Sequence, residues 1–178
     1  AFWLAFFRLT RALAVSPVPV VAAISGHAPA GGAVLAIHCD YRIGVIGSRL
    51  VVPAARIGIC YPVNGIRRFV VRLGHANATR LLVASEELDT DALLQTGFLH
   101  RVVEREQLAE QAEAMACHIA GLAPLAVRAM KRILDGVSGN SLDGGAAEEL
   151  VLRCSQSRDL QEGLAAQREK RRAQFSGE

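Results

Sequence analysis

The stretch PVPVVAAISGHAPAGGAVLAIHCDYRIGV, residues 17–45, holds the elements from which the fold is read. Residues 19–24 form a short apolar run ending before Gly26, the pattern of a strand buried on both faces. A glycine-rich turn follows, then a helix of small and apolar residues, and residues 41–46 read as a second strand. A strand running into such a turn leaves free backbone N–H groups at the helix start, where the helix dipole also favours negative charge. A carbonyl seated there would have its developing oxyanion stabilised, and one such donor is worth about 2.7–4 kcal/mol of barrier. Taken alone, the turn fits close helix–strand packing at least as well. It contains no GxGxxG, so it is not a dinucleotide fingerprint.

Upstream, residues 1–15 are apolar on all sides (Phe2, Trp3, Leu4, Phe6, Phe7, Leu9, Leu13). They predict a helix that is buried or covered by a partner and closed by Ser16 and Pro17. Downstream come an extended piece near residues 50–52 and a Pro/Gly-rich loop over 53–65. Helices are predicted over 66–73 and 75–84, separated by Gly74, and over 90–96, capped by Asp89 and stopped at Gly97. A strand over 99–103 precedes amphipathic helices over 105–120 and 124–135, broken at Gly121 and Pro124. Residues 138–145 read as a mobile loop, and helices over 145–155 and 158–172 finish the chain. The pattern is an α/β core over residues 1–120 with a helical region over 121–178.

A chain of 178 residues, 51% apolar, can bury a substantial core. A net charge of +3 excludes a strongly basic nucleic-acid binder but suits an anionic, phosphate-bearing ligand. Cys39, Cys60, Cys117 and Cys154 are scattered and form no CxxC, so no metal site is expected. Reduced thiols in the cytoplasm are the better account. The opening AFWLAFF is far shorter than the roughly 20 residues a membrane span needs, and Arg8 and Arg11 follow rather than precede it. The chain has no initiator Met and begins in mid-pattern, as though an N-terminal part were absent.

Residues 17–45 resemble the signature of the enoyl-CoA hydratase/isomerase (crotonase) family, P-V-[IV]-A-A-[VI]-x-G-x-A-x-G-G-G before a helix ending in C-D. VPAARIGICYPVNGIRR is similar to the family's F-x-x-P-E-x-x-x-G segment. LHRVV, APLAVRAMKRIL and SRDLQEGLAAQREKRRAQF continue the match to the terminus. The resemblance implies the crotonase fold: ββα units around a spiral sheet, N-terminal units absent from this chain, and a C-terminal helical region that forms a homotrimer or hexamer. It implies an acyl-CoA substrate of fatty acid metabolism, with CoA as part of the substrate and no separate cofactor. By the same token, no nucleic acid and no membrane is expected as partner.

Residue by residue, the resemblance places an oxyanion-hole amide at Gly31, with Ala28, Pro29, Val34 and Ala54 against the substrate. The family's second oxyanion amide falls upstream of this chain. Its two hydratase glutamates fall at Val34 and, after Pro53, at Ala54, and neither side chain can move a proton. A lyase or isomerase reaction other than ordinary hydration is therefore expected. IGICYPVNGI also resembles the methylmalonyl-CoA decarboxylase branch, in which the residue at Tyr61 orients a carboxylate. A malonyl-type decarboxylase and a catalytically silent acyl-CoA-binding subunit are the two rivals. His27, beside the turn, is either a proton carrier or pocket wall. His38 and Asp40 read as helix-end residues, and Arg49, Arg56, Arg67 and Arg68 as either surface or CoA-phosphate contacts.

Overall fold

The structure is a computed structural model that describes residues 2–139 and 141–178, the side chains of Phe2 and Trp3 excepted. The chain falls into two units, one of residues 1–16 and 20–114, the other of residues 17–19 and 115–178.

The first unit is built on three parallel strands, β1 (Val21–Ile24), β2 (Tyr41–Val45) and β3 (Arg101–Val103), in the order β1-β2-β3. Val21 lies opposite Tyr41, and Ile43 opposite Arg101. Parallel neighbours need a crossover, and helix α2 (Gly31–His38) supplies the one between β1 and β2. β2 lies in the middle, with Arg42, Ile43 and Val45 all nearly inaccessible. Its Gly44 is required by close approach: a Cβ there would lie 2.6 Å from Leu99 Cδ1. β1 is shorter than residues 19–24 and only half-buried, and among the described residues it pairs on one side alone. The extended piece near residue 50 is a single antiparallel bridge, Leu50 to Leu88.

α2 carries no ionisable side chain apart from its terminal histidine, and its Ala33, Val34, Ala36 and Ile37 are buried. They join Phe69, Leu81, Leu88 and Phe98 in one core. Phe69 and Leu81 belong to α3 (Val63–Leu82), which kinks at Gly74 (φ 77°, ψ 162°), where the sequence separates two helices. α4 (Thr90–Gln95) is capped as expected, the Asp89 carboxylate accepting from Ala92 N–H at 3.0 Å. α1 (Phe2–Ala14) is the helix expected over residues 1–15. Leu4 and Leu9 are 59% and 48% exposed, because a lone helix beside α2 hides one face only.

α5 (Leu108–Ala120) begins in the first unit and ends in the second. The second unit continues with α6 (Pro124–Ser138), α7 (Gly144–Ser155) and α8 (Arg158–Glu169). Pro124 opens α6 where its missing N–H costs nothing, and the Asp143 and Ser157 side chains cap α7 and α8. Asn140, inside the loop expected over 138–145, lies outside the described residues. Among the described residues no helix is long and apolar enough to cross a membrane.

Candidate active site

The glycine-rich turn is held against the chain that follows β2. Ala28 N–H donates to Arg49 O at 3.0 Å and Ala30 N–H to Val51 O at 2.9 Å, an alternation like a strand edge. Inside the turn, Gly32 N–H donates to Pro29 O at 2.9 Å and Val34 N–H to Ala30 O at 3.2 Å. The Gly31 amide, between those of Ala30 and Gly32, opens α2 and donates to no acceptor among the described residues. Unsatisfied N–H groups of a helix's first turn are natural donors to negative charge. Ala30 reaches this geometry at φ 46°, ψ −107°. A side chain there is strained by roughly 1–3 kcal/mol.

Gly31 opens onto a cavity of about 810 Å³. Val34 enters it one turn along the same face of α2, Ala54 from the loop after Pro53, and Tyr61 from just before α3. Four residues singled out from sequence therefore meet in one space. Three others do not line it. His27 and Pro29 are exposed, and Ala28 is buried in the core cluster. Phe6 of α1 covers the glycine: a Cβ on Gly31 would lie 3.5 Å from its ring. Tyr61 and Ala54 also line a second space of about 370 Å³, with Cys60 and His75.

The walls are mostly apolar, and among the described residues no Asp or Glu lines the larger cavity. Its polar groups include the Gly31 amide, Tyr61, His38, Arg11 and Arg68. Burial raises the Tyr61 pKa, so its phenol stays a neutral donor at neutral pH. His38 Nδ1 donates to Val34 O at 2.7 Å; a carbonyl only accepts, so the proton sits on Nδ1 and Nε2 is an acceptor. Burial first, then Arg68 and Arg72, hold the His38 pKa below its ordinary value against the pull of that hydrogen bond. The ring is therefore neutral at neutral pH. His38 ends α2, as the sequence reads, and Gly31, Val34 and His38 are spaced i, i+3, i+7, one helical face. That spacing was the available signal. Such a site can seat, orient and polarise a carbonyl compound, but it offers no carboxylate base.

The sequence profile of the family described as enoyl-CoA hydratase/isomerase matches residues 1–178. A Mycobacterium bovis protein named "Probable enoyl-CoA hydratase echA6" is 35% identical over 170 residues, 96% of this chain and 68% of its own length. A Syntrophomonas wolfei protein named crotonyl-CoA hydratase is 30% identical, covering 95% of this chain and 65% of itself. Among solved structures, an enoyl-CoA hydratase/carnithine racemase from Magnetospirillum magneticum superposes with a TM-score of 0.90 at 29% identity. That match covers 98% of this chain and 66% of the other. The chain thus spans about two thirds of the length of the relatives it matches. The fold of its structural neighbours is the crotonase fold.

Proposed function

Because the chain belongs to the enoyl-CoA hydratase/isomerase family, we propose that its cavity seats an acyl-CoA thioester with the carbonyl oxygen on the Gly31 amide, for a reaction other than ordinary hydration. The observation that carries this reading is the uncommitted Gly31 N–H at the start of α2, opening onto a cavity of substrate size. The donor is fixed in place by the ladder of residues 28–30 on 49–51, so it need not reorganise as negative charge develops. Hydration of an enoyl thioester needs a base to deprotonate water and an acid to protonate the α-carbon. Val34 and Ala54 line the cavity where the family resemblance places glutamates, and neither side chain titrates. Crotonyl-CoA should therefore bind, yet be hydrated at least on the order of 10⁴-fold more slowly than by a member with both glutamates, since each acid–base role is worth roughly 10²–10⁴. Hydration at ordinary rates would contradict this reading.

A second reading is favoured by Tyr61, whose neutral phenol shares the cavity with Gly31. A malonyl-type thioester can lose CO₂ without a carboxylate base. The bond from Cα to the carboxylate breaks, and its electron pair enters the thioester as an enolate with its oxygen on Gly31. CO₂ leaves, and Cα then takes a proton from solvent. Tyr61 would donate a hydrogen bond to the departing carboxylate and hold the breaking bond perpendicular to the thioester plane, where positioning is worth several kcal/mol. CO₂ release from malonyl-CoA or methylmalonyl-CoA that falls about tenfold or more in Tyr61→Phe, ~1.4 kcal/mol, selects this reading. No release from either substrate removes it. Tight acyl-CoA binding with no turnover of any thioester would mark the chain as a silent acyl-CoA-binding subunit.

A further inference from the structure

Two guanidiniums, those of Arg11 and Arg68, line the cavity that contains Gly31, and no carboxylate lines it among the described residues. Their position along the cavity follows from the helices. Phe6 of α1 lies against Gly31 at the start of α2. Val20 N–H, beyond the end of α1, donates to the Asp40 carboxylate at 2.8 Å, just beyond the end of α2. The two helices therefore run the same way, and Arg11, past Phe6 in α1, lies toward the C-terminal end of α2. Arg68 reaches the same end, its Nη2 donating to His38 O at 3.5 Å. At a rise of 1.5 Å per residue, that end is about 10 Å along the helix axis from Gly31.

The charge around this end is lopsided. Arg72 pairs with Asp40 at 3.4 Å. Arg42 is almost wholly buried and gives its guanidinium to the carbonyls of Cys39, Phe98 and Gly97. Arg42, Arg68, Arg72 and Asp40 thus lie close to one another, and His38, being neutral, adds no charge. The two guanidiniums that line the cavity, Arg11 and Arg68, attract an anion into it. We propose that this cavity is shaped for a dicarboxylic acyl thioester, its thioester carbonyl at Gly31 and its terminal carboxylate held by Arg11 and Arg68 toward the far end of α2. The inference rests on the reading that the cavity takes acyl-CoA. Guanidinium forks match carboxylates in geometry as well as charge.

Titration calorimetry with adipoyl-CoA and hexanoyl-CoA, which differ only in a terminal carboxylate, tests the proposal. Adipoyl-CoA should bind at least about tenfold more tightly, ~1.4 kcal/mol, and Arg11→Gln and Arg68→Gln should each reduce that ratio. Arg11 is exposed on α1, so its variant keeps the fold even if Arg68→Gln, which loses the His38 carbonyl, does not. Equal affinity for the two thioesters overturns the proposal. Substitutions that weaken both thioesters equally assign the cations to the phosphates of CoA, and overturn it too. Binding of neither thioester refutes the acyl-CoA reading itself, and this inference with it.

Discussion

Ala30 carries a cost that its neighbours explain. It stands at the first of the three glycines in the family pattern, and the turn still demands a positive φ there. The ladder to residues 49–51 on one side and α2 on the other leave the backbone no relaxed alternative. Ala30→Gly should therefore stabilise the protein. Relief of roughly 1–3 kcal/mol of strain outweighs the roughly 0.4–1 kcal/mol that glycine's extra freedom in the unfolded chain costs. Thermal unfolding measures this directly, and a lower midpoint in the variant would show that the turn is not strained. The strain was not legible in the sequence, since an alanine carries no mark of its dihedral angles. The convergence of Gly31, Val34, Ala54 and Tyr61 was legible, because the family pattern fixes their order and the turn fixes their side. The place of His38 and Arg11 in the cavity is not legible in the sequence, and Arg68 reads there only as either surface or a CoA-phosphate contact. Two of them reach it by long side chains whose direction depends on packing, and the third shows itself only through helical spacing.

At the scale of the element, α3 gives the complementary case. Gly74 breaks the helix at φ 77°, ψ 162°, a region open to glycine almost alone, while the space around it is empty. Gly74→Ala should cost roughly 1–3 kcal/mol from backbone strain alone, with no steric contribution to confuse the measurement. A urea titration with an unchanged midpoint would mean the kink tolerates a side chain. The break itself was readable because Gly74 is the one glycine within residues 66–84. The one-sided exposure of α1 was not. A helix that is apolar all round predicts burial within the chain or under a partner without saying which, and beside α2 its Leu4, Phe7 and Leu9 stay exposed.

The molecule as a whole presents more such surface than one subunit needs. Along α6, Met130, Leu134 and Val137 are 57%, 65% and 61% exposed at positions i, i+4 and i+7, a continuous apolar stripe. We propose that this helical region joins subunits into a homotrimer or a pair of trimers. Sedimentation should show that assembly, and Leu134→Glu, which places a charge in the stripe, should dissociate it. A monomer that is stable and active would refute the proposal.

The central claim is that the Gly31 amide polarises a bound thioester, and the vibration of that carbonyl reports it without requiring any turnover. Gly31 is the first residue of α2, so Gly31→Pro removes the N–H at a position where a helix tolerates proline, although Ala30 before it, at φ 46°, must adjust and the fold of the variant is checked. Infrared difference spectra of ¹³C-labelled acyl-CoA bound to the protein should show the thioester carbonyl displaced to lower frequency. The displacement should vanish in a Gly31→Pro variant whose circular dichroism is native. A carbonyl frequency in the wild-type complex no different from that of the free thioester would contradict the account.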